Sequence, residues 1–162
     1  MATWIVLGIV AVLLAVGWAY HTANRLDRLN VRVDLARQSL YAGLDRRAVV
    51  VRAIAAELPG SELAALADRA ERAAPEERED AENALSAALA RTDASGRSPA
   101  LVIELADAET RVMMARRFYN DAVRDTRALA ERRLVRWLRL GGHASPPTYF
   151  EIIERVTPGQ GE

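Results

Sequence analysis

Two histidines, no cysteine and one dense run of carboxylates are what this 162-residue chain offers for catalysis or metal binding. His21 closes an uncharged stretch and His143 follows Gly141-Gly142 in a loop. Neither stands in the Glu-x-x-His context that a di-iron site in a helical bundle requires, and no Ser/His/Asp set assembles around His143. Glu76, Glu77, Glu79, Asp80 and Glu82 follow Pro75. Hard cations need oxygens converging from several positions, whereas acids after a first-turn proline simply meet the positive end of a helix dipole. The run therefore reads as a solvated helix start. No glycine-rich phosphate loop precedes a helix. The expectation is a protein without catalytic, cofactor or metal site, and not an enzyme.

Binding chemistry has better candidates. Arg116, Arg117, Phe118, Tyr119 and Asn120 are consecutive, and Tyr149 and Phe150 form a second aromatic pair. On a helix Tyr119 falls on the apolar seam, where a ring is buried with its hydroxyl bonded to a neighbour. Asn120, one step round, is placed to bond across to the first helix, and Phe118 widens the apolar face. Arg117 and Asp121 are an i,i+4 pair, worth about 0.3 kcal/mol when exposed. The motif reads first as bundle-locking chemistry and second as a surface for a protein partner. Residues 124–140 are basic and amphipathic. At 100° per residue Ala130, Leu134, Val135, Trp137 and Leu138 share one side, with Arg132, Arg133, Arg136 and Arg139 on the other. Such a segment either lies on anionic lipid or packs its apolar side on a bundle.

The elements that position these residues are helices. The composition is rich in Ala, Leu, Arg and Glu, with 9 Gly and 6 Pro, and nowhere does it alternate as a strand does. Residues 2–20 carry no charge, with Trp4 at one end and Trp18 and Tyr20 at the other. Roughly 20 helical residues cross a bilayer core, and aromatic belts mark its two faces. No basic residue precedes the apolar run and Gly17-Trp18-Ala19 is a weak cleavage site, so a retained anchor is expected rather than a signal peptide. Arg25, Arg28, Arg32 and Arg37 follow it, which places the N-terminus outside and the remainder in the cytoplasm.

Beyond the anchor, residues 21–58 repeat small and apolar side chains in threes and fours, at Leu26, Leu29, Val33, Ala36, Leu40, Leu44, Ala48, Val51, Ala55 and Leu58, up to Pro59-Gly60. Ser61 is the expected N-cap of a second helix, with a kink or short break near Ala74-Pro75 and an end near Arg91. Ser98-Pro99 opens a third, whose seam runs Leu101, Leu105, Ala108, Val112, Ala115, Tyr119, Ala122, Thr126 and Leu129. The predicted fold is all-α: a transmembrane helix (1–20), an antiparallel bundle of three long helices with the second kinked (21–140), and a C-terminal loop, short helix near 148–156 and tail (141–162). Three passes run up, down and up, so the third helix ends far from the bilayer. On that geometry the basic stretch packs its apolar side on the bundle.

The run Arg116-Arg117-Phe118-Tyr119-Asn120-Asp121-Ala122-Val123-Arg124, followed by Pro147-Thr148-Tyr149-Phe150-Glu151, resembles the C-terminal signature of the LemA family. The early part agrees, with Leu26, Leu29, Val33 and Ala36, then Leu44-Asp45-Arg46-Arg47 ahead of Val49-Val50-Val51. The resemblance implies a bacterial membrane-anchored helical bundle. Two features depart from it. Asp125-Thr126-Arg127 stands where the family carries a second Tyr-Asn, and no proline breaks 128–134, which leaves two courses for the third helix, continuing to 140 or breaking near 130.

The functional expectation is a membrane-anchored scaffold or adaptor presenting a rigid surface, the alternative being a self-associating envelope-organising protein. Its partners would be membrane lipid through residues 2–20, protein partners of unspecified identity, or further copies of the chain. The formal net charge is zero, so there is no bulk drive toward nucleic acid.

Overall fold

The structure, a computed structural model, describes residues 1–93, 96–138, 140 and 146–152. Among them there are five helices and no strand: α1 (Ala2–Glu57), α2 (Leu63–Arg72), α3 (Arg78–Arg91), α4 (Pro99–Ala130) and α5 (Arg133–Trp137). The all-α expectation holds. The chain divides into two compact units, Met1–Ala36 with Tyr119–Tyr149, and Arg37–Phe118 with Phe150–Glu162.

In the first unit the opening of α1 is apolar and exposed along its length. It is the helix, among the described residues, that is long and apolar enough to cross a membrane, and none of its apolar window is buried in the protein. Burial begins at Thr22 and Leu26. Leu26 packs with Leu129 at the end of α4 and with Val135 of α5, flanked by Leu29, Ala130 and Leu140. Arg32 meets Asp125 at 3.5 Å. Rising numbers on α1 thus meet falling numbers on α4, so the two helices are antiparallel.

The second unit holds the larger core. α1 contributes Ala48, Val50, Val51 and Ile54, α2 Leu63 and Ala67, α3 Leu85 and Leu89, and α4 Leu105 and Ala108. Alanines at these positions let helix axes approach closely, and Gly43 faces Val112, whose side chain lies 3.6 Å from where a Cβ would stand, an ordinary van der Waals contact. The Ser98 N–H donates to Glu57 Oε2 at 2.8 Å. Here too α1 and α4 run in opposite directions. Every seam position expected on α4 is buried or half-buried. α1 buries its expected seam and more, because Arg47, Val50 and Ile54 also face neighbours where α2 and α3 join it.

The break expected at Ala74-Pro75 is present, and it turns the chain fully round. Glu62, just before α2, is bridged by Arg91 from the last turn of α3 at 2.6 Å, and the two helices pack along each other. A merely kinked helix would leave those residues some 40 Å apart at 1.5 Å per residue. This reversal adds a pass to the bundle. It corrects the expectation that the third long helix leads away from the bilayer, since α4 instead runs back along α1.

Two local expectations also change, and an open one is decided. Glu62, not Ser61, is the N-cap of α2, and Ser61 Oγ is buried without a hydrogen bond. Of the two courses open to the third helix, the break near 130 is the one taken: α4 stops at Ala130, Arg132 is extended (ψ 133°) and α5 follows it. No helix forms at 148–152, and 153–156 lie outside the described residues. Gly60 adopts φ 83° after Pro59, the left-handed conformation that a side chain would resist.

Candidate functional site

The second unit contains a charged cluster that the sequence reading missed. Glu82 of α3 is fully buried between two buried arginines. Arg47 Nη2 of α1 donates to Glu82 Oε2 at 2.6 Å, and its Nη1 donates to Ser86 Oγ at 3.1 Å. Arg78 Nε donates to the other carboxylate oxygen at 3.1 Å. Arg78 also reaches Asp45 Oδ1 at 2.6 Å and the Glu71 carbonyl at 3.3 Å, and its guanidinium stands 5.2 Å from the Tyr41 ring centroid. Burial pulls the Arg78 pKa down; the Asp45 hydrogen bond and the charges of Glu82 and Asp45 more than reverse this, so it lies above the ordinary arginine value.

A carboxylate whose two oxygens each accept from a guanidinium satisfies the condition for burying charge. With both oxygens occupied in this way, Glu82 ties α3 to α1 through Arg47 and to its own first turn through Arg78. Glu82 therefore departs from the solvated helix start expected of the acidic run. The signal was available: Glu82 precedes Leu85 and Leu89 by three and seven residues, and Arg47 sits three residues after Leu44 and four before Val51. Both are charges on a seam. Among the described residues no group of His, Cys, Asp or Glu is arranged to hold a metal ion.

The motif residues fall into two places. In the first unit Tyr119 is buried as expected, and its hydroxyl donates to the Thr148 carbonyl at 2.8 Å. The next residue, Tyr149, lies under the Arg127 guanidinium at 5.7 Å. Asn120 is half-buried beside Tyr119. Asp121, expected to pair with Arg117, is met by Arg124 at 3.0 Å.

In the second unit Arg116 donates to the Ile152 carbonyl at 3.3 Å. Phe150 is buried with its ring edge toward Tyr41, at 6.5 Å and 62°. The Glu151 N–H donates to the Glu79 carboxylate at 3.1 Å. Arg117 and Phe118 are exposed. Side chains of α4 thus take the Thr148 and Ile152 carbonyls that a helix at 148–156 would have bonded to its own N–H groups. That is why residues 148–152 are not helical.

Tyr119→Phe removes one partly buried hydrogen bond. We expect a loss of about 1 kcal/mol in thermal unfolding and faster protease cleavage within 146–149, with the helical circular dichroism unchanged.

No protein-family model, no curated protein and no solved structure matches the chain.

Proposed function

We propose that the chain is a LemA-like, single-pass membrane protein without a catalytic site, its N-terminus outside and its bundle in the cytoplasm, acting as a scaffold or adaptor. Residues 2–20 serve as the span, and the arginines from Arg25 onward set its direction. The observation that carries the adaptor reading is an apolar row on the open side of α4 in the second unit. Ile103 is 70% exposed and Phe118 58%, with Met114 between them, at spacings of eleven and four that keep one side of a helix. Large apolar side chains aligned and left open mark surfaces that bind proteins. Tethering to a membrane raises the effective concentration for such contacts without high affinity.

Deleting residues 2–20 should move the protein from the membrane fraction to the soluble fraction, while the full chain keeps its N-terminal residues on sequencing. Crosslinking in native membranes should yield foreign partners that disappear with Ile103→Glu and Phe118→Glu. Retention of those partners by both variants would remove the adaptor reading. The alternative, self-association, is favoured by Gly8, which has nothing of the protein within 4 Å of its Cβ position and so admits a close second helix. It would give a homo-oligomer ladder lost on Gly8→Leu.

A further inference from the structure

We infer that α5 is a second membrane contact, a basic apolar foot resting on the anionic lipid of the leaflet from which α1 emerges; this rests on the reading of residues 2–20 as a bilayer span. Three observations in the first unit carry it.

The first is height. Packing on α1 begins at Thr22, two residues past Tyr20, and Leu26 receives Val135 of α5 and Leu129 of α4. Six residues of helix from Tyr20 to Leu26 amount to about 9 Å. The headgroup layer extends roughly 5–7 Å beyond the hydrocarbon core on each side. α5 therefore stands at the edge of the headgroups, within the reach of a tryptophan or arginine side chain. The antiparallel course of α4 is what brings it there.

The second is what α5 leaves uncovered. Of its apolar residues only Val135 is buried; Trp137 is 80% exposed, and Leu134 and Leu138 are also open. The expectation that the apolar side packs on the bundle holds for Ala130 and Val135 and fails for Leu134, Trp137 and Leu138. A tryptophan flanked by leucines at headgroup level is the composition of an interfacial segment.

The third is charge. Arg132, Arg133 and Arg136 are exposed on and beside α5, and Arg25 and Arg28 are exposed on the first turns of α1 past Tyr20. The facing acids are fewer: Asp27 is exposed, and Glu131 is held by Arg127 at 3.3 Å. An excess of guanidinium groups at that level fits the phosphates of anionic lipid, which line the cytoplasmic leaflet.

The test uses the full chain reconstituted in vesicles of neutral phosphatidylcholine, or with anionic phosphatidylglycerol added. The three tryptophans are Trp4, Trp18 and Trp137, so two single-tryptophan proteins suffice: W4F/W18F, which keeps Trp137, and W4F/W137F, which keeps Trp18. Lipids brominated near the headgroup quench rings that enter the interface. Trp137 should be quenched in anionic vesicles and much less in neutral ones. That preference should fall about fivefold for each of Arg132, Arg133 and Arg136 changed to Gln, and fall again with added salt. Trp18 quenched with Trp137 unquenched overturns the foot and leaves the span standing. Neither quenched overturns the span and the foot with it. Equal quenching of Trp137 in both lipids overturns the anionic-lipid assignment.

Discussion

Glu82→Ala is expected to cost about 3–5 kcal/mol, the range for removing one partner from a buried ionic group. Its removal strands the Arg47 and Arg78 guanidinium groups, both buried, without the carboxylate that each donates to. Thermal or urea unfolding followed by circular dichroism measures the loss. Glu76→Ala, an exposed acid of the same run, should stay within about 0.5 kcal/mol of the parent. The diagnostic feature is non-additivity: Arg47→Met should cost markedly less in the Glu82→Ala background than alone, because the charge it removes has already lost its partner. Equal costs in both backgrounds would mean that Arg47 and Glu82 do not act as a pair. Added salt should do little to the parent, since the pair is shielded from solvent.

Leu85→Ala, one turn further along α3, should cost about 2–5 kcal/mol for a different reason. Leu85 is fully buried in the core of the second unit, and its truncation leaves a void that surrounding helices fill only partly. No second substitution at a charged position should restore it. Leu85→Met, which nearly conserves volume, should cost less than about 1.5 kcal/mol. If Leu85→Ala unfolds with the parent's midpoint, the core of the second unit is not where its stability resides.

Much of the fold could be read from periodicity, because apolar spacing reports which face of a helix is covered. α4 is the clearest instance: Leu105, Ala108, Val112, Ala115, Tyr119, Ala122, Thr126 and Leu129 step by threes and fours, and all but the half-buried Ala115 are buried. The uncharged opening of α1 was equally plain. Chain direction after Ala74 was not. Ala73-Ala74-Pro75 tells where a helix stops, and a kink and a reversal share that signal. The choice is made by contacts distant in sequence, Arg91 with Glu62 and Arg78 with Asp45, which no local pattern encodes. That one turn decided whether α5 stands near the apolar opening of α1 or far from it.

The candidate residues were legible in kind and not in role. Tyr119 was placed on the seam, where it is, but its acceptor is a backbone carbonyl in a segment whose own residues look helical. Arg47 and Glu82 were hidden by the presumption that charges face water. That presumption fails when two helices bring opposite charges to facing seam positions; spacing marks both residues as seam charges, and the pairing of α1 with α3 brings the two together.

α1 runs from Ala2 through Glu57 without interruption, so the greasy opening and the seat for Val135 belong to a single rod. Nothing between Tyr20 and Leu26 can swivel. The azimuth of that seat is therefore set by the way the opening turns are gripped. One extra residue inserted after Tyr20 would swing the seat by about 100° and raise it by about 1.5 Å, whereas two glycine-rich turns there would uncouple the two altogether. The register of those few residues acts as a keyway, transmitting any rotation imposed on the apolar turns to the seat that Val135 fills.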